Sequence, residues 1–140
     1  MVNQNWIKLI ARLIGWLAVF AIGVLSLVPG DIRPHTGAPG IFEHVAAYLG
    51  AAGLLIFGNG ERRSSIATVL SLPLYSAALE IAQTQIPGRH PAFSDFIAST
   101  IGVIGGFALA WIALKALDYV SGSGSFWNKR VPQSALGDKR

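Results

Sequence analysis

The chain has 140 residues, 52% of them hydrophobic and only 13% charged, with a mean hydropathy of +0.51. Soluble domains carry roughly 25% charged residues, so this balance points to an integral membrane protein. The absence of cysteine excludes a disulfide framework and any thiolate metal site. The net charge of +4 sits between the apolar runs and forms no basic face, so no nucleic-acid partner is expected.

Four apolar segments follow in chain order. The first, residues 9–28, carries Arg12 near its start and stops at Pro29-Gly30. Its basic beginning resembles a secretory signal. It is long for one, however, and Ser26-Leu27-Val28 lacks a small-x-small cleavage pattern, so a retained helix is expected. The second segment, residues 42–57, has Glu43 and His44 at its start. Its 16 residues would rise only about 24 Å at 1.5 Å per residue. A span needs about 20 residues for about 30 Å of hydrocarbon, so this segment must thin the bilayer or extend into the preceding loop. The third covers residues 66–86 and the fourth residues 93–117. The connections PGDIRPHTGAPG, GNGERRSS and PGRHP contain Gly, Pro and Asn breakers and read as loops. The sequence therefore predicts an all-α, four-transmembrane-helix bundle over residues 1–120, with a mobile polar tail over residues 121–140 that begins in the flexible SGSGS stretch.

Four spans place both termini and the loop at Glu61 on one side. That side holds nine of the eleven basic residues, leaving Arg33 and Arg89 on the other. The positive-inside rule then predicts cytoplasmic termini in a bacterial inner membrane. Asp31, Glu43, Glu80, Asp95 and the three histidines His35, His44 and His90 gather on or near the outer side.

The densest polar stretch is EIAQTQIPGRHPAFSD, residues 80–95. Glu80 falls about 14 residues into segment three, about 21 Å along its axis. An acid at that depth faces the bundle interior or a water-filled cleft. Gln83 and Ser76 share its face at helical spacing. Arg89 follows a Pro87-Gly88 turn, where it can pair with Glu80 or Asp95, or hold a phosphate or carboxylate in a bidentate fork. Ser94 or Asp95 can cap the fourth helix. His44 and Tyr48, four apart, share a helix face that suits either acid–base work or interfacial packing. No histidine or acid falls in a metal-binding spacing, and neither a metal nor a cofactor is expected. Gly102-x-x-x-Gly106, with Ser99 and Gly105, reads as a close helix-packing stripe.

Two blocks carry a family resemblance. FEHVAAYLG is similar to a histidine–aromatic–tyrosine helix. LYSAALEIAQTQIPGRHPAFSDFIASTIGVIGG has a Glu, a Gln three later, an Arg six further on, an Asp, and a glycine-containing helix. Together they resemble the VanZ-like family of small membrane proteins, over all four segments but not the tail. In that resemblance Glu80, Gln83, Arg89, Asp95 and Gly102 occupy the motif positions. The chain departs from the pattern in three places. Ser99 stands where the family often has Asn, Val45 where it usually has Phe, and Gly40-Ile41 where an Asp-Lys pair often precedes the histidine. The resemblance implies an envelope protein linked to low-level resistance to the glycopeptide teicoplanin, with no established mechanism.

Three readings remain open. The polar cluster can bind a lipid-linked or peptide envelope ligand or a partner. It can belong to a membrane enzyme acting on a lipid-linked phosphate or sugar, with Arg89 holding the anion and Glu80 or His44 moving a proton. Or it can be structural only. The candidate residues are His44, Tyr48, Glu80, Gln83, Arg89 and Asp95.

Overall fold

The computed structural model describes residues 4–32 and 37–121. Arg33, His35 and the tail from residue 122 lie outside the described residues. The described chain forms four helices and no strand: α1 (Gln4–Leu27), α2 (Gly40–Asn59), α3 (Arg62–Gln83) and α4 (Phe93–Ser121). All four are long and apolar enough to cross a membrane. Of the two expectations for the second span, extension beyond residues 42–57 into the preceding loop is the one observed. The helix begins at Gly40, directly after Pro39, and runs 20 residues to a left-handed Gly60, whose N–H caps the Ile56 carbonyl at 2.9 Å. Proline and glycine thus set both ends of α2 beyond its most apolar stretch.

Around an apolar core, large apolar side chains also cover the outer surface and several polar ones are buried. Leu17, Phe20 and Ile101 are more than half exposed, at 65%, 68% and 55%, whereas Ser65, Thr68, Ser76, Gln83 and Ser99 are buried. Lipid is as apolar as leucine, so large apolar side chains are not driven inward by water, while polar groups must find partners inside. The Thr68 hydroxyl donates to the Ser64 carbonyl within α3, and that of Ser65 to the carbonyl of Glu61, the residue that precedes the helix. Pro73 interrupts α3 without ending it, which membrane bundles tolerate because neighbouring groups re-satisfy the freed backbone.

The central packing is between α2 and α4, which run parallel: Val45 lies against Gly102, and Leu49 and Gly53 against Gly106. A Cβ on Gly102 would meet the Val45 carbonyl oxygen at 2.5 Å, and one on Gly106 would meet that of Leu49 at 2.5 Å. Backbone sits on backbone, as the small-residue stripe predicts. Helix α1 packs antiparallel to α2, with Gly15 beside Leu55 and Gly58 beside Lys8 and Arg12. It runs parallel to α3, where the Tyr75 hydroxyl donates to the Val19 carbonyl at 3.3 Å. The core cluster joins Tyr48, Ala52 and Ile56 of α2 to Leu72 of α3 and Val103 and Ala110 of α4.

This arrangement sorts charge by end. Lys8, Arg12, Arg62, Arg63 and Lys115 lie where α1 and α3 begin and α4 finishes, whereas Asp31, Glu43, His44, Glu80 and Asp95 lie at the opposite end. There the turn after α1 touches the turn after α3. Gly30 N–H donates to the Pro87 carbonyl at 3.3 Å, and Gly30 abuts Gly88, whose φ of +71° needs glycine.

Gly106→Leu is expected to lower the unfolding temperature sharply in detergent, by the equivalent of about 3 kcal/mol or more, because the obstacle is backbone. Gly50→Ala, where an added Cβ meets nothing within 4 Å, is expected to be neutral or mildly stabilising. Equal effects at the two positions would refute the close α2–α4 contact.

Candidate functional site

The acidic end collects side chains from three helices and the α3–α4 turn, and the predicted site residues divide there into two sets. Gln83 and Arg89 reach across to α1. The last carbonyls of a helix have no partner within it. Gln83 Nε2 donates to the Ser26 carbonyl at 3.0 Å, Arg89 Nε donates to that of Val28 at 2.9 Å, and an Arg89 terminal nitrogen donates to that of Leu25. These side chains cap α1, and a cation at a helix C-terminus also complements its dipole. The expectation of a free guanidinium fork for a ligand anion is therefore corrected. The Nε edge of that fork grips carbonyls, because the turn holding Arg89 lies directly on the end of α1.

Glu80 performs the matching task on α4. Because the helix begins at Phe93, neither Ser94 nor Asp95 is its N-cap, and that expectation is corrected too. Asp95 occupies the third helical position, from which an acid normally reaches back to the N-cap amide. Here Glu80 Oε2, from α3, accepts the Ala92 N–H at 3.0 Å instead. Glu80 lies in the last turn of α3, beside the α3–α4 turn.

With that amide taken by Glu80, the Asp95 carboxylate turns to His44. Asp95 Oδ2 lies 3.5 Å from His44 Nε2, and Asp95 Oδ1 accepts from the Ser94 hydroxyl at 3.3 Å. On the other side of the imidazole, Nδ1 lies 3.3 Å from Ser99 Oγ. The Ser99 hydroxyl donates to the Asp95 carbonyl at 2.7 Å. A hydroxyl has one proton. With that proton on the carbonyl, Ser99 accepts from His44 Nδ1–H, which leaves Nε2 facing the carboxylates. Ser99 is fully buried, at 0% exposure. Its covered oxygen and committed proton make it a positioning group and not a nucleophile.

His44 and Tyr48 do share a face, with rings 6.5 Å apart and nearly parallel at 14°. Tyr48 is buried, and its hydroxyl is directed to Ser76 and Ser99. It is a wall behind the histidine. From the sequence, Ser99 belongs to the packing stripe and to a position where the family often has Asn, with no site role assigned to it. Its position four residues after Asp95, one helical turn on and on the same face, is the signal that points to such a role.

Atoms of His44, Glu80 and Asp95 lie within 4.8 Å of one another. Spacing along the chain could not show this set, since each member comes from a different helix. Beside it lies a cavity of about 580 Å³, walled by apolar residues that include Ile22, Leu25 and Ala47, with Ser26, Glu43, His44, Gln83 and Arg89 as its polar lining. A mostly apolar pocket with a few convergent polar groups is the usual form of a small-molecule site.

The sequence profile of the VanZ/LLP1 family matches residues 4–114, and the chain belongs to that family. With its four apolar helices, it is a VanZ-like multi-pass membrane protein. No curated protein and no solved structure matches it.

Arg89→Met is expected to lower stability by about 2 kcal/mol, the scale of charge-assisted bonds to partly solvated carbonyls. Arg89→Lys should restore only part of that, since one ammonium cannot reproduce the planar fork. Thermal unfolding in lipid nanodiscs reads both, and an unchanged midpoint for Arg89→Met would refute the capping role.

Proposed function

We propose that this protein is an envelope protein of the bacterial inner membrane, with both termini cytoplasmic, that binds an amphipathic, lipid-linked ligand at its acidic end. The cavity carries the reading. Its apolar walls between α1 and α2 suit a chain or isoprenoid-like portion, and its Gln83, Arg89 and His44 rim suits a polar head. Arg89 enters as part of that rim and as a cap on α1, rather than as the sole anion clamp. The orientation rests on the basic residues gathered at the opposite end, which the positive-inside rule assigns to the cytoplasm. Reduced susceptibility to teicoplanin, the trait associated with the family's name-giving member, is part of the same proposal. A protein that occupies or withdraws a lipid-linked envelope component changes what a glycopeptide meets at the cell surface.

A second reading, a membrane enzyme acting on a lipid-linked phosphate or sugar, is favoured by one observation. His44 stands on the cavity wall with a carboxylate near one ring nitrogen and a buried hydroxyl near the other, the kind of support that fixes a proton-transferring imidazole. In this reading His44 moves the proton, and Glu80 and Asp95 set its environment.

Expression in a susceptible bacterium is expected to raise the inhibitory concentration of teicoplanin several-fold. Ala47→Trp, which fills the cavity, should abolish the rise at equal membrane abundance. His44→Gln separates the two readings: a ligand binder keeps most of the effect, and an enzyme using His44 loses it. An unchanged inhibitory concentration on expression, or full effect with the filled cavity, would overturn the proposal.

A further inference from the structure

From the arrangement of His44, Glu80 and Asp95 we infer that the acidic end holds a divalent transition-metal cation. The inference stands apart from the ligand cavity and survives or fails independently of it. Metal bonds of about 2.0–2.2 Å around a tetrahedral centre put neighbouring ligand atoms about 3.3–3.6 Å apart. His44 Nε2 and Asp95 Oδ2, at 3.5 Å, already have that separation. A Glu80 carboxylate oxygen completes a triangle whose members all lie within 4.8 Å, and a small side-chain rotation of Glu80 closes it.

The surroundings of the three groups point the same way. Each residue has a heteroatom held by a partner outside the triangle. Ser99 holds His44 Nδ1, the Ala92 amide holds Glu80 Oε2, and the Ser94 hydroxyl holds Asp95 Oδ1. Outer hydrogen bonds of this kind orient metal ligands and fix the histidine tautomer. The Ser99 proton is committed to the Asp95 carbonyl, so Ser99 is the acceptor for His44 Nδ1 and Nε2 is the nitrogen on the side of the two carboxylates.

The donor set selects the kind of ion. One imidazole with two carboxylates suits Zn²⁺ or Mn²⁺, whereas Mg²⁺ and Ca²⁺ take all-oxygen shells. Three protein ligands leave at least one coordination position open, and His44 sits on the wall of the cavity. The ion would therefore have room for a water or for an oxygen of a bound molecule.

The test uses full-length protein purified in detergent without an oligohistidine tag, loaded with Zn²⁺ or Mn²⁺ and dialysed. One equivalent of metal should remain by elemental analysis, with a rise in unfolding temperature on loading. His44→Gln and Asp95→Asn should retain none and show no rise. Ser99→Ala keeps all three ligands and should bind about 10–100-fold more weakly. Should His44→Gln and Asp95→Asn fail to insert, Ser99→Ala decides, because an unchanged affinity there overturns the site. Substoichiometric metal in the wild type, or equal retention in the ligand variants, also overturns it.

Discussion

In a bilayer, every helix end brings backbone groups that water cannot satisfy at hydrocarbon depth. The acidic end of this bundle meets that constraint with side chains lent between helices. Gln83 and Arg89 close the carbonyls at the end of α1, and Glu80 takes the amide at the start of α4. These bonds set where the three chain ends lie. The rest of the site follows from that placement, because the cavity wall, the Gly30–Gly88 contact and the position of Asp95 depend on α1, α3 and α4 meeting there.

The Glu–Gln–Arg–Asp motif thus divides by task. Three members hold helix termini, and the fourth is left to face His44. The division explains how so much polar chemistry can stand at the edge of lipid without being loose. Among the described residues no buried side-chain nitrogen or oxygen lacks a hydrogen-bond partner. The α2–α4 glycine contact serves the same end from below. By bringing the two backbones together it sets Ser99 of α4 against His44 of α2, and the serine in turn fixes which nitrogen of the imidazole faces the carboxylates.

Much of the fold was legible in the sequence, since the four spans and the small-residue stripe are written as long apolar runs and spaced glycines. Helix ends were not. Residues 42–57 understated α2, because its first turn is built on Pro39-Gly40 and its last on a left-handed Gly60, neither of which adds to an apolar run. The site residues were legible as a list but not in their roles. Asp95 looks like a cap from its local sequence, and only the arrival of Glu80 from another helix relieves it of that work. Arg89 looks like a free cation on a turn until the end of α1 is beneath it. The grouping of His44 with Glu80 and Asp95 spans three helices and leaves no trace in spacing.

The central claim is that the motif's polar side chains are turned onto helix ends. Magic-angle-spinning NMR of selectively labelled protein in lipid bilayers tests it most directly, through contacts from Arg89 guanidinium nitrogens to the Val28 carbonyl carbon and from the Glu80 carboxyl carbon to the Ala92 amide nitrogen. Both contacts are predicted. A strong Arg89 contact to lipid phosphorus, with neither backbone contact present, would contradict the account.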